Sequence, residues 1–340
     1  MLYIRTDMNS VIATGHVMRC LAIADAAKEI GENTTFIVAD DQADHMIRKR
    51  GYETIILRTR WDNMEMELDR LQSIIHEQRI RALLVDSYQV TQPYLQTLSD
   101  WVNVVYIDDL DSFCYPVHTL VCYVNYWENF CHKQKYKQTK LLLGSNYIPL
   151  GQPFKNCERK IIKAYAENLL VLSGGTDHFH LLDGFLECIN KMRFQRIDVI
   201  CGMYYQGVRQ LESRFGGYSN IHIHQSVDNI VAYMRRADMA VSAGGTTLYE
   251  LCACGTPTIS YSFADNQLNN VRQFQKDGLI DYAGDVRSTD IFGTAARLLD
   301  QYYGQASLRE ERSRNMQKLI DGKGATRIAE EMKELSCPNG

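Results

Sequence analysis

The chain has 340 residues, of which 45% are hydrophobic and 23% charged, and carries a net charge of −4; single cores stop growing near about 250–300 residues, so two domains are expected. Lys and Arg are not clustered, which argues against nucleic acid as the main partner but leaves small anionic ligands open through helix dipoles and backbone N–H groups. The start Met-Leu-Tyr-Ile-Arg-Thr-Asp has no leader pattern, no apolar run nears the ~18–20 residues of a membrane span, and the ten cysteines include no Cys-x-x-Cys pair. The expectation is a cytoplasmic protein with reduced thiols, acting as a monomer or small homo-oligomer away from membranes.

In chain order, Leu2–Arg5 reads as a buried strand and His16–Ile30 as a helix ended by Gly31 in a left-handed cap. Strands are expected at Thr34–Val38, Thr54–Leu57, Ala82–Val85, Val102–Ile107 and Leu120–Val124, with helical segments between them such as Asn63–Glu77. Gly144, Pro149, Gly151 and Pro153 mark a linker, which places the domains at 1–150 and 151–340. The alternation then restarts with strands at Leu169–Leu172, Arg196–Cys201, Ile221–His224, Met239–Ser242 and Thr258–Tyr261. Asp228 is placed to cap a helix running to Ala237, Leu248–Cys254 reads as a helix stopped by Gly255, and Leu308–Lys333 reads as a helical tail. Strands alternating with helices imply parallel pairing, so the fold class is α/β with two doubly wound, Rossmann-like domains.

Three loops at strand ends carry the chemistry, because ligands of open parallel sheets bind at the carboxyl ends of strands. The first runs from Arg5-Thr6-Asp7 to Thr14-Gly15-His16-Val17-Met18-Arg19. His16 sits at a helix start, where the positive dipole end favours a neutral imidazole able to accept a proton. A capping or packing histidine is the plainer alternative. The second loop, Ser173-Gly174-Gly175-Thr176-Asp177, could seat a phosphate on exposed N–H groups or form a simple tight turn. The third, Val241-Ser242-Ala243-Gly244-Gly245-Thr246-Thr247-Leu248-Tyr249-Glu250, suits a diphosphate at a helix N-terminus. Glu250 could accept hydrogen bonds from a ribose diol, or could serve only the helix dipole. Asn266 and Gln267 follow in an amide-rich segment, residues 265–270, that can read hydroxyl and acetamido groups or simply form a capped loop.

Other polar groups have plainer readings. His222 and His224 share one strand face, His178 and His180 follow the second loop with a phosphate contact open to them, and Asp108, Asp109 and Asp111 suit capping better than metal binding. Cys252 and Cys254, two apart on a helix, do not face one another. Tyr123, Tyr126, Trp127 and Phe130 form an aromatic cluster.

Taken together, the stretch Arg5-Thr6-Asp7…Gly15-His16-Val17-Met18-Arg19-Cys20-Leu21-Ala22, with Val85-Asp86-Ser87-Tyr88, Ile107-Asp108-Asp109, Val124-Asn125, Gly174-Gly175-Thr176-Asp177 and Asn266-Gln267, resembles the UDP-2,4-diacetamido-2,4,6-trideoxy-β-L-altropyranose hydrolases of bacterial pseudaminic acid (nonulosonic acid) biosynthesis. The segment from Gly244 to Glu250 also resembles the uridine-diphosphate half of the peptidoglycan N-acetylglucosaminyl transferases. Ala13 stands where the hydrolases often have glycine. The resemblance implies a glycosyltransferase-B type fold with the substrate in an interdomain cleft. UDP would bind through Ser242, Gly244, Gly245, Thr246, Thr247, Leu248 and Glu250. Asp7, Gly15, Arg19, Tyr88, Asn125, Gly174, Gly175, Thr176, Asn266 and Gln267 would hold the substrate. His16 would activate a water that attacks the anomeric carbon with inversion and releases UDP, with no metal and no cofactor. A glycosyltransferase of the same fold and a non-catalytic nucleotide-sugar binding protein are the alternatives.

Overall fold

The computed structural model describes residues 1–12, 14–174, 177, 179–202 and 205–337. Those residues divide into two compact units, 1–155 with 322 onward, and 156–321.

In the first unit the elements run β1 (Leu2–Thr6), α1 (Gly15–Glu29), β2 (Thr34–Val38), α2 (Asp44–Lys49), β3 (Glu53–Ile56), α3 (Leu68–Glu77), β4 (Ala82–Asp86), α4 (Gln92–Trp101), β5 (Asn103–Ile107), β6 (Thr119–Cys122), α5 (His132–Lys135) and β7 (Lys140–Leu143). The strands form a parallel sheet in the order β3-β2-β1-β4-β5-β6-β7. Consecutive strands step outward from β1 in both directions, so the connections reverse between β1 and β4, where Thr6 pairs with Asp86. Such a reversal opens a crevice at the carboxyl ends of the strands. On one face of the sheet Leu83, Val85, Tyr94, Leu95 and Val104 pack into a continuous apolar core. Arg5 is also buried, and it is tolerated because its guanidinium forks onto Glu67 (2.8 and 2.7 Å) and donates to Asp7 (2.6 Å). This pairing accounts for a departure from the expected helix over 63–77. Its first turn, Met64–Glu67, is a 3₁₀ turn that sets Glu67 against Arg5, and the α-helix starts at Leu68.

The second unit runs β8 (Asn168–Leu172), α6 (Leu181–Cys188), β9 (Arg196–Cys201), α7 (Val208–Phe215), β10 (Ile221–Gln225), α8 (Ile230–Arg236), β11 (Met239–Ala243), α9 (Thr247–Cys254), β12 (Thr258–Ser262), α10 (Asp265–Lys276), β13 (Ile280–Asp285), α11 (Ile291–Gly304) and α12 (Ala306–Leu319). Its sheet is parallel in the order β10-β9-β8-β11-β12-β13, and the reversal falls between β8 and β11. The cap of α8 is Asn229, whose side chain accepts from the Ala232 N–H at 3.2 Å, rather than the neighbouring Asp228.

The helical tail is not one piece and does not stay with the second unit. It breaks at Gly322, and α13 (Gly324–Ser336) packs along α1 in the first unit through Ala325, Ile328, Ala329 and Met332. Gly322 has φ +72, and a Cβ there would stand 2.2 Å from the carbonyl oxygen of Phe154, so only glycine fits the crossing. Among the described residues no helix is long and apolar enough to cross a membrane.

Candidate active site

The first-unit site is built at the β1/β4 reversal. α1 begins at Gly15 directly after the first loop, and this brings His16 and Arg19 one turn apart onto the carboxyl end of β4, where Asp86 is the last strand residue. His16 Nδ1 lies 2.7 Å from Asp86 Oδ1. Arg19 grips the same carboxylate, Nε to Oδ2 at 2.6 Å and Nη2 to Oδ1 at 2.5 Å. Ionised Asp86 can only accept, so the proton shared across the 2.7 Å contact belongs to His16 Nδ1, and the 2.9 Å approach of Arg19 Nη2 to that nitrogen is not a hydrogen bond. The imidazole Nδ1 then carries the hydrogen that Asp86 accepts, and Nε2 is the basic nitrogen. Burial alone would raise the Asp86 carboxyl, but the Arg19 charge and His16 outweigh it and hold Asp86 well below the usual carboxylate range. The carboxylate is therefore ionised at any working pH.

Around this dyad Tyr88 sets its ring edge-on to His16, with centroids 4.6 Å apart, and its hydroxyl donates to Asp109 Oδ2 at 2.9 Å. Tyr123 donates to the same oxygen at 3.0 Å and accepts from Arg19 Nη1 at 2.7 Å. Tyr88 is 42% exposed, so one face of the cluster is open. Asn125 follows β6, half-buried. Asp7 sits elsewhere in function: its two oxygens are taken by Arg5 (2.6 Å) and the Ala39 N–H (2.7 Å), so it braces β1 instead of presenting a free acceptor. Asp108 closes its own loop, accepting from the Leu110 and Asp111 N–H groups and from Tyr115 Oη. Within the aromatic cluster, Tyr123 and Tyr126 are buried, so they form no exposed apolar patch.

In the second unit the second and third loops flank the β8/β11 reversal. Gly174 is exposed with φ +94, and Asp177 caps α6 through the N–H groups of Leu181 (2.8 Å) and Leu182 (3.1 Å). Gly175, Thr176 and His178 lie outside the described residues, as does Ala13; His180 is exposed. The third loop enters α9 through Thr246, and no side chain caps the helix start. The early N–H groups of an uncapped helix have no intrahelical partner and attract anions. Gly244 is packed against Val271, whereas a Cβ on Gly245 would meet nothing within 4 Å. Asn270 of α10 braces this loop, donating to the Gly244 carbonyl at 2.9 Å and accepting from Tyr249 Oη at 2.8 Å. Glu250 is half-buried in the first turn of α9 and makes no hydrogen bond to a described residue; desolvation pushes its carboxyl up to about 7.

Not every residue expected on UDP is available to it. Ser242 is buried and its hydroxyl donates to the Ala243 carbonyl, and Leu248 is buried with its N–H on the Gly245 carbonyl. Gly245, Thr246, Thr247 and Glu250 remain grouped at the helix start. Asn266 is exposed on the first turn of α10, while Gln267 is engaged by the Phe263 N–H at 3.0 Å. His222 and His224 stack along β10, and His224 bonds Asp198 at 2.9 Å.

Comparison with known proteins bears on the fold. Residues 169–320, from β8 through α12, match the glycosyltransferase family 28 C-terminal domain. A UDP-N-acetylglucosamine–N-acetylmuramyl-(pentapeptide) pyrophosphoryl-undecaprenol N-acetylglucosamine transferase of Helicobacter pylori is 41% identical over 144 residues, covering 39% of this chain and 41% of its own. The spore coat polysaccharide biosynthesis protein SpsG of Bacillus subtilis is 23% identical over 207 residues, covering 58% and 59%. Among solved structures, MurG of Acinetobacter baumannii superposes with a TM-score of 0.70 at 10% identity over 98% of this chain and 99% of that one. The chain spans about half or less of the length of the curated relatives it first matches, 54%, 41% and 41%. The fold is thus two Rossmann-like domains of the glycosyltransferase-B type, and the second unit is similar to the glycosyltransferase family 28 C-terminal domain.

Proposed function

We propose that the chain breaks the bond between a sugar and UDP, with the second unit holding the nucleotide and the first supplying the base. The observation that carries this reading is the His16–Asp86 pair: an ionised, buried carboxylate fixes Nδ1 and leaves Nε2 to take a proton. UDP would place its diphosphate on the N–H groups at Gly245, Thr246 and Thr247, whose dipole stabilises the leaving charge, and its ribose on Glu250. Tyr88, Arg19 and Asn125 would border the sugar, with Asn266 and the Gly174 loop as further contacts. The opening motif supports water as the nucleophile and UDP-2,4-diacetamido-2,4,6-trideoxy-β-L-altropyranose as substrate. His16 would draw the proton from water as it attacks the anomeric carbon, giving inversion.

The comparisons favour the second reading more strongly: the matched domain and the Helicobacter relatives are named as glycosyltransferases. In that case a hydroxyl of an acceptor replaces water at the same base. UDP release from the diacetamido sugar nucleotide, measured with no acceptor present and beside UDP-N-acetylglucosamine, separates the two. Steady release in water supports hydrolysis; release only on adding a hydroxyl acceptor supports transfer. Binding of UDP without turnover of either substrate under both conditions would defeat the catalytic reading.

A further inference from the structure

The second unit holds a pair of thiols that the proposed reaction does not use. Cys254 is the last residue of α9, and Cys157 lies in the segment that leads toward β8. Both carry free side chains, and the two sulfurs hydrogen-bond each other. Cys254 is buried in the wall of a cavity of about 320 Å³ that Glu158, Lys160, Lys163, Arg235 and Asp238 also line, and Cys157 is half-buried. Lys160 is fixed there, donating to the carbonyls of Met234 (3.0 Å) and Arg235 (2.9 Å) and to Thr256 Oγ1 (3.1 Å).

The two sulfurs are chemically unequal. The hydrogen bond from Cys254, helped by the Arg235 and Lys160 charges and opposed by burial, brings the Cys157 thiol down to about 7. The same contact, with burial, pushes Cys254 far up. A thiolate beside a protonated thiol is the arrangement in which the first attacks and the second resolves. Their separation must shrink only from hydrogen-bond contact to the S–S bond length of about 2.05 Å.

We propose that Cys157 and Cys254 form a reversible intrachain disulfide that makes the second unit responsive to oxidising thiol–disulfide conditions. The Cys157 thiolate attacks one sulfur of a low-molecular-weight disulfide, forming a mixed disulfide and expelling a thiolate. With Cys157 now a neutral mixed disulfide, the contact that held the Cys254 proton is gone; Cys254 gives that proton to the expelled thiolate and attacks the Cys157 sulfur, expelling a second thiolate. Two protein thiols are oxidised and one small disulfide is reduced to two thiols. The bond fastens the entry segment to the helix on which Glu250 lies one turn earlier on the same side.

The test is incubation of the full chain with oxidised glutathione near pH 8, then proteolysis and mass spectrometry without reductant. The expected result is a linked Cys157–Cys254 peptide, lost on adding dithiothreitol, and in Cys254→Ser a lasting glutathione adduct on Cys157. A lasting adduct on Cys157 in the parent chain without the linked peptide overturns the proposal, since Cys254 then fails to resolve it. So does modification of Cys157 no faster than that of the exposed Cys114.

Discussion

His16 and Asp86 are 70 positions apart in the chain and share a hydrogen bond of 2.7 Å. The carboxylate also holds Arg19 through two bonds of 2.6 and 2.5 Å, so one buried group orients the base and neutralises the cation next to it. Asp86→Asn preserves the shape while offering an amide that can bind the wrong ring tautomer. It is expected to lower kcat by about 10²–10⁴-fold with little change in KM. Asp86→Ala is expected to cost about 3 kcal/mol of stability as well, because Arg19 loses the carboxylate it forks onto and keeps only the longer 3.5 Å contact with Asp109. Steady-state kinetics and denaturant unfolding check the pair; parental turnover in Asp86→Asn would remove Asp86 from the mechanism.

Gly244 and Gly245 are adjacent but face different surroundings. A Cβ on Gly244 would stand 2.2 Å from Val271 Cγ1, while one on Gly245 meets nothing within 4 Å. Gly244→Ala is therefore expected to destabilise the second unit by about 1–3 kcal/mol. Gly245→Ala should melt like the parent yet bind UDP about tenfold more weakly, about 1.4 kcal/mol, because its methyl group occupies the open space through which a phosphate would approach the N–H groups. Calorimetry beside thermal melting separates the two, and unchanged UDP affinity in Gly245→Ala would clear the loop of a phosphate role.

Glu250 titrates at about 7 because it is desolvated. Its folded-state value lies above that of the unfolded chain, so its contribution to stability is full below the usual glutamate range and is lost as pH rises through about 7. A ribose diol donates to the ionised form, so UDP affinity should run the other way, rising from pH 6 to pH 8. Glu250→Gln should bind UDP more weakly at pH 8 and flatten that profile. The same slope in parent and variant would assign the pH dependence to another group.

Asn270 stands in the sequence only as the last member of the amide-rich segment 265–270, yet it ties the Gly244 carbonyl (2.9 Å) to Tyr249 Oη (2.8 Å) in a buried setting. Asn270→Ala removes the donor to the buried Gly244 carbonyl and the acceptor of Tyr249 Oη, at about 1–3 kcal/mol in all. A drop in melting temperature together with weaker UDP binding is the expected outcome. Parental values for both would show that the loop holds its shape without this brace.

The parallel sheets were legible because their central strands are short apolar runs bounded by glycine and polar turns, as at Ala82–Asp86 and Met239–Ala243. Two of the four edge strands, β7 and β13, were not. Lys140–Leu143 follows a polar, Lys-rich stretch, and Ile280–Asp285 mixes aspartate and glycine into its pattern. His16 and Glu250 stood out as candidates because each lies in the first turn of a helix that follows a glycine-bearing strand-to-helix loop. Asp86 was visible only as part of a motif, since nothing in the chain says that β4 pairs with β1. Asp109 and Asn270 act through partners distant in sequence, and Asp7 misled because an acid at a strand end looks the same whether it meets a ligand or Arg5. The return of α13 was hidden because its buried stripe, Ala325, Ile328, Ala329 and Met332, names no partner.

That return has a bearing on synthesis. A ribosome delivers β1 to β7 first, but the surface of α1 that α13 covers stays bare until the whole second unit has emerged. The second unit, being continuous from residue 156 to residue 321, can close while the earlier one still waits for its last helix. The part of the chain made first, which carries His16, is therefore the part completed last, and its exposed helix is where a nascent molecule is most open to chaperones and proteases.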